Sequence, residues 1–147
     1  MEVWVTPIVS VLSIAVTYVF GRLQAKQSSK TTVLQNRYDK FYAPFVRAIY
    51  VLKLWELPFS QAPINPQKEI IAMICSNLSL IHEEAIAIFP ELYQSYIEYR
   101  KDPELTHELN ASFDSFTLSI LAESTRLAKK LHIPNLAEYA STMYGSK

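Results

Sequence analysis

The chain has 147 residues, 14 Lys and Arg against 14 Asp and Glu, and 50% hydrophobic residues, with eight prolines, two glycines and one cysteine. That length allows one domain of modest core beyond an N-terminal segment. The single Cys75 excludes an internal disulfide and fits a reducing compartment. Scarce glycine argues against tight β-hairpins and phosphate-cradling loops.

Val3 to Phe20 carries no charge and is rich in Val, Ile, Leu and aromatic residues. As a helix of about 1.5 Å per residue, it is close to the thickness of a bilayer core. Trp4 and Tyr18 lie near its ends, where amphipathic rings favour the membrane interface. Pro7 falls in the first turns, where a missing N–H costs least. A cleaved signal would need a basic n-region and a small-x-small site, and neither is present. A buried core helix would show a clearer polar face. Residues 1–21 are therefore expected to form a single-pass transmembrane anchor. Glu2 precedes the run, whereas Arg22, Lys26, Lys30, Arg37 and Lys40 follow it with only Asp39 opposing. Basic residues collect on cytoplasmic flanks, which predicts the N-terminus outside and the remainder cytoplasmic at the cell membrane.

Charge is uneven along the chain. Residues 22–40 are net +4 and residues 41–147, with nine basic and twelve acidic side chains, are net −3. The basic juxtamembrane segment, 22–32, sits where anionic headgroups attract it. Trp4, Tyr18, Arg22, Lys26 and Lys30 are the expected anchor residues, with the lipid bilayer as partner. The segment reads as helix continuing from the anchor, with a weak point at Ser28 to Thr32. No basic face with interleaved aromatics occurs elsewhere, which argues against nucleic-acid binding.

From residue 33 to 147 the pattern predicts a helical bundle. Leu34, Tyr38, Phe41, Phe45, Ile49, Leu52 and Trp55 recur at spacings of three and four. The stripe keeps phase across Pro44, which predicts a kinked helix ending near Leu57-Pro58. Phe59 to Pro66 reads as a loop, with Asn65 as N-cap and Pro66 at the first helical position. Ile70, Ile71, Ile74, Cys75, Leu78 and Ile81 then mark a buried face from about Pro66 to His82, with Cys75 as core filler. Pro90 is expected to break the chain and start a short helix reaching Lys101. Glu104 to Leu131 has the cleanest helical spacing, with Arg126, Lys129 and Lys130 at the end the helix dipole favours. A last helix spans Leu136 to Tyr144. The expected class is all-α: one transmembrane helix followed by an antiparallel bundle of four to five helices.

Chemistry-bearing patterns are few. His82-Glu83-Glu84 begins like a zinc-protease motif, but Ile86 stands where the second histidine is required. His82, His107 and His132 show no metal-ligand spacing. No serine sits in a nucleophile elbow. Asn77-Leu78-Ser79 and Asn110-Ala111-Ser112 match the glycosylation sequon by chance on expected cytoplasmic helices. No catalytic, cofactor or metal site is expected, and the chain reads as a non-enzyme. Tyrosine is abundant, with nine in the chain. Most fill the core, but Tyr93, Tyr96, Tyr99 and Arg100 are candidates for a partner-binding patch, because three such tyrosines cannot all face one core.

The stretch Arg37-Tyr38-Asp39-Lys40-Phe41-Tyr42-Ala43-Pro44-Phe45, placed after an anchor and a short basic segment, resembles small N-terminally membrane-anchored helical proteins of Gram-positive bacteria and their phages and prophages. The resemblance covers about residues 1–55 and carries no catalytic residue. It implies a membrane-tethered helical protein, most concretely a superinfection-exclusion factor that acts through a protein partner at the inner face of the host membrane. The alternative is a structural or regulatory subunit of a host membrane complex, and a homo-oligomer is compatible with either.

Overall fold

A helix of 33 residues, α1 (Val5–Arg37), begins the computed structural model, which describes the backbone of residues 5–146 and the side chains of 16–146. At 1.5 Å per residue α1 rises about 50 Å. Described residues are entirely helical or irregular, with no strand among them. The chain divides into two units, residues 1–35 and 36–147.

In the first unit every described side chain from 16 to 33 is exposed. Val16, Tyr18, Val19, Phe20 and Leu23 are apolar or aromatic and exposed. Successive helical residues point about 100° apart, so Tyr18, Val19 and Phe20 surround the helix instead of forming one face. Helix continues through Ser28 to Thr32 without the expected weak point. There Thr31 and Thr32 donate their hydroxyls to the carbonyls of Gln27 and Ser28, at 3.0 and 2.9 Å. Such bonds replace solvent as the partner of the side chain and leave the ladder intact. Among the described residues, no helix is long and apolar enough to cross a membrane. Most of the uncharged run Val3 to Phe20 lies outside the residues whose side chains are described, and Met1 to Trp4 lie outside the described backbone as well.

The second unit is a bundle of five α-helices: α2 (Ala43–Leu52), α3 (Ile64–Ser76), α4 (Glu83–Lys101), α5 (Thr106–Leu131) and α6 (Ala137–Gly145). Helix α5 is central and packs against α4 and α6. Its residues Leu109, Phe113, Phe116, Ile120 and Leu127 are buried at spacings close to three and four, while Leu105 and Leu131 near its ends are half-buried. The core is aromatic: Phe59 stacks on Phe113 with ring centres 3.8 Å apart, and Phe45 meets Phe116 edge-on at 6.1 Å.

Between α1 and α2 the chain stays helical but widens into a π-turn, Tyr38–Tyr42. The N–H of Ala43 bonds to the carbonyl of Tyr38, five residues back. Pro44 follows at once, within the first positions of α2. A proline clashes with the carbonyl four residues earlier and cannot bond it. The wider turn relieves that clash and Pro44 does not break the helix, and the buried stripe widens across it to take in Tyr42 and Val46 beside Phe41, Phe45 and Ile49.

Three expectations need correction. Pro90 does not break a helix, because α4 runs through it. Pro90 is exposed on the surface of α4. Helix α3 begins at Ile64, ahead of Asn65-Pro66, and ends at Ser76, where a 3-10 turn (Leu78–Leu80) redirects the chain. Cys75 is exposed within α3 although its neighbour Ile74 is buried, and Leu78, beyond the early end of the helix, is exposed as well.

With glycine scarce, two helices end on other residues. Lys53 and His132 have φ of 49° and 54°. Each closes a six-to-one turn: the N–H of Leu54 bonds the carbonyl of Ile49, and that of Ile133 bonds the carbonyl of Ala128.

Candidate functional site

Two carboxylate–guanidinium contacts on the buried Glu123 gather at one place in the second unit. It is built by the π-turn, the start of α4 and the middle of α5. Arg37 and Tyr42 are five residues apart. On an α-helix that separation turns the side chains about 140° away from each other. In the π-turn residues five apart come back over one another. The Arg37 guanidinium accordingly lies over the Tyr42 ring, 5.7 Å from its centre, and its Nη2 donates to the Tyr42 hydroxyl at 3.3 Å.

Both side chains hold the segment that enters α4. Arg37 Nε donates to the Leu80 carbonyl at 2.8 Å, and the backbone N–H of His82 donates to the Tyr42 hydroxyl at 3.0 Å. His82 stands just ahead of α4 in extended conformation, and Glu83 and Glu84 occupy the first turn, where the helix dipole favours anions. From α5, Ser119, Glu123 and Arg126 face the same point, spaced four and three residues apart on one face. Glu123 is 6% exposed, accepts both arms of the Arg126 guanidinium, and lies 3.5 Å from Arg37 Nη2. One buried carboxylate therefore serves two guanidiniums.

These contacts set the ionisation of the group. Burial pushes the Glu123 carboxyl up, but the bond and charge of Arg126, with His82 and Arg37, outweigh it and hold its pKa below the usual carboxylate value. Burial lowers the pKa of His82, opposing the pull of Glu123 and Glu84. Burial also raises that of the Tyr42 hydroxyl, against the His82 N–H and Arg37. The resting state is thus neutral His82 and Tyr42 beside ionised Glu123.

Hydrogen-bond geometry assigns the imidazole tautomer. The Tyr42 hydroxyl accepts from the His82 N–H and from Arg37, which uses both its lone pairs. Its own proton then turns to His82 Nδ1, 3.2 Å away. Neutral His82 must carry its proton on Nε2, which lies 2.9 Å from Ser119 Oγ. The ring donates to Ser119. A nucleophilic serine needs the opposite, a histidine that takes its proton. The pair is arranged to hold α4 against α5.

A cleft of about 390 Å3 opens beside the cluster, between His82, Glu83 and Glu84 on one wall and Ser119, Glu123 and Arg126 on the other. Glu84 is 88% exposed at its rim and Arg126 47% exposed at its mouth. Among the described residues no group of three or more His, Cys, Asp or Glu side chains could hold a metal ion. The cleft offers a polar partner a guanidinium fixed by a buried carboxylate and an acidic rim.

No family model, curated protein or solved structure matches the chain. Its function has to be read from its own geometry.

The residues singled out from the sequence are dispersed. Trp4 lies outside the described residues. Tyr18, Arg22, Lys26 and Lys30 are exposed on α1, with the Arg22 guanidinium 5.6 Å from the Tyr18 ring centre. Of the tyrosine patch, Tyr96 is buried in the core. Tyr99 is half-buried and donates its hydroxyl to the Ser60 carbonyl at 3.0 Å. Tyr93 and Arg100 are exposed, so the four do not make one continuous exposed patch. Arg37, Tyr42, Ser119, Glu123 and Arg126 were not anticipated as a site. Glu123 and Arg126 were visible as a helical pair, and Arg37 and Tyr42 belong to the familiar stretch around Pro44, but nothing in one sequence joins the two.

Proposed function

We propose that the chain is a membrane-tethered, non-enzymatic interaction protein, with a single-pass anchor at residues 1–21 and a helical bundle held at the inner face of the membrane, where it binds a protein partner. The observation that carries this is the exposed character of α1. Its apolar and aromatic side chains from Val16 to Leu23 lie all around the helix, and Arg22, Lys26 and Lys30 follow on exposed turns. Apolar surface on every side of a helix is stable in lipid, and basic residues just beyond it suit anionic headgroups. The bundle supplies its own core, and its charged cleft is held by packed helices, which suits recognition of a polar protein surface.

Superinfection exclusion is the most concrete form: a phage or prophage protein that stops a second phage's DNA from entering the host cell. Cells expressing the whole chain should resist challenge, and cells expressing a chain without residues 1–21 should lose resistance while still accumulating a folded bundle. An untethered bundle that protects equally well would refute the role of the tether. Stoichiometric copurification with a host membrane complex in the absence of any phage would instead favour a subunit of that complex.

A further inference from the structure

A second hollow, of about 360 Å3, lies between α2 and α3. Ala48 and Leu52 from α2 and Ile70 and Met73 from α3 give it an apolar lining. Val51, on the same wall, is 74% exposed, the most exposed large apolar side chain of the bundle. Arg47 stands on the α2 side and Glu69 on the α3 side, and both are exposed. Among the described residues neither enters an ion pair.

One patch therefore carries a hole, an apolar knob, a cation and an anion. A two-fold contact brings a patch against itself, so a self-complementary patch must hold both halves of every pairing. We propose that the α2–α3 face is an interface with a second copy of this chain. Each Val51 enters the partner's hollow, and each Arg47 pairs with the partner's Glu69. A helix of uniform charge fits less well, because either Arg47 or Glu69 would then face a like charge. An uncharged apolar occupant would leave both unpaired. The contact stands whether or not α1 is an anchor.

The contact engages one face of two short helices, so self-association in solution is expected to be weak, with a Kd of about 10–100 µM, and confinement to one membrane would strengthen it.

The test uses the whole chain in detergent micelles, labelled at its C-terminus with donor or acceptor dye, with energy transfer read against concentration. Arg47→Glu and Glu69→Arg should each weaken self-association at least about tenfold, because a two-fold axis turns one change into two repulsive contacts. Both side chains are exposed, so the variants should keep the wild-type circular dichroism. Mixing Arg47→Glu chains with Glu69→Arg chains should restore association: every contact in that mixed pair again joins opposite charges. Val51→Asp should abolish it. A wild-type chain that stays monomeric to about 1 mM overturns the proposal. So does association that the single charge changes leave unaltered, which would place the contact on another face. A mixture no better than either variant alone also overturns it.

Discussion

Replacing Glu123 with Gln removes the one negative charge held between Arg37 and Arg126. The side chain keeps its volume, so the loss is electrostatic. An amide offers one acceptor where the carboxylate offers two, and its NH2 group would meet guanidinium N–H groups. Breaking a fully buried ion pair by removing one partner costs about 3–5 kcal/mol. Here Glu123 is 6% exposed but Arg37 is 20% and Arg126 47% exposed, so solvent recovers part of the loss. The expected cost is about 2–3 kcal/mol. With a urea m-value of about 1.5 kcal/mol/M, the unfolding midpoint should fall by roughly 1.3–2 M. Far-UV circular dichroism or Trp55 fluorescence of the whole chain in micelles would follow it. Arg126→Gln should cost less, about 1 kcal/mol, because Glu123 keeps Arg37. A Glu123→Gln variant within about 0.5 kcal/mol of wild type would refute the view that this carboxylate fastens the π-turn to α5.

Acid should destabilise the bundle in two stages. His82 is held below its ordinary value of 6.5, so the unfolded chain takes up that proton first, and stability should fall as pH drops below about 6.5 and level off below the folded pKa. Glu123, held below 4.5, contributes stability that is present above 4.5 and lost as pH falls through its folded value. His82→Gln should flatten the upper stage and leave the lower one, which unfolding free energies measured from about pH 2 to 8 would reveal, a range that spans both carboxylate and histidine titration. Gln67 donates its buried amide to the carbonyls of Phe59, Ser60 and Ala62 at 3.1, 3.2 and 2.8 Å. Gln67→Leu would take away the donor to the Ala62 carbonyl, while the Phe59 carbonyl keeps the Ala62 N–H and the Ser60 carbonyl keeps the Tyr99 hydroxyl, so it should lower stability by about 1–2 kcal/mol in the same urea assay. Lys53→Gly and His132→Gly should each raise stability by roughly 0.5–1 kcal/mol, since glycine adopts the left-handed cap without a Cβ penalty; a loss of that size instead would mean the side chains themselves hold the turns.

Much of the bundle was legible as periodicity. The stripe of α5 depends on spacing within one helix, and so does the run Tyr38, Phe41, Phe45 and Ile49, all of which are buried. Prolines misled where solvent decided the outcome: Pro90 is tolerated because it faces water, a property of the folded chain. Pro44 is accommodated by a π-turn, whose only local trace is the proline. Apolar spacing alone did not tell Cys75, exposed within α3, from its buried neighbour Ile74. The charged cluster lay out of reach for another reason. Glu123 and Arg126 are close in sequence, but Arg37 reaches them across the fold, and Tyr42 faces Arg37 only through the π-turn. Nor could tyrosine counts tell a buried Tyr96 from an exposed Tyr93, because that depends on which helix packs over each.

The tether is the central claim. Membranes from cells expressing the whole chain should retain it through alkaline carbonate washing, whereas a chain without residues 1–21 should be released. Protease added outside intact cells should leave the C-terminal bundle uncut, and disrupting the membrane should expose it. Release of the whole chain by carbonate would contradict the anchor, and cleavage of the bundle from outside would contradict its placement at the inner face.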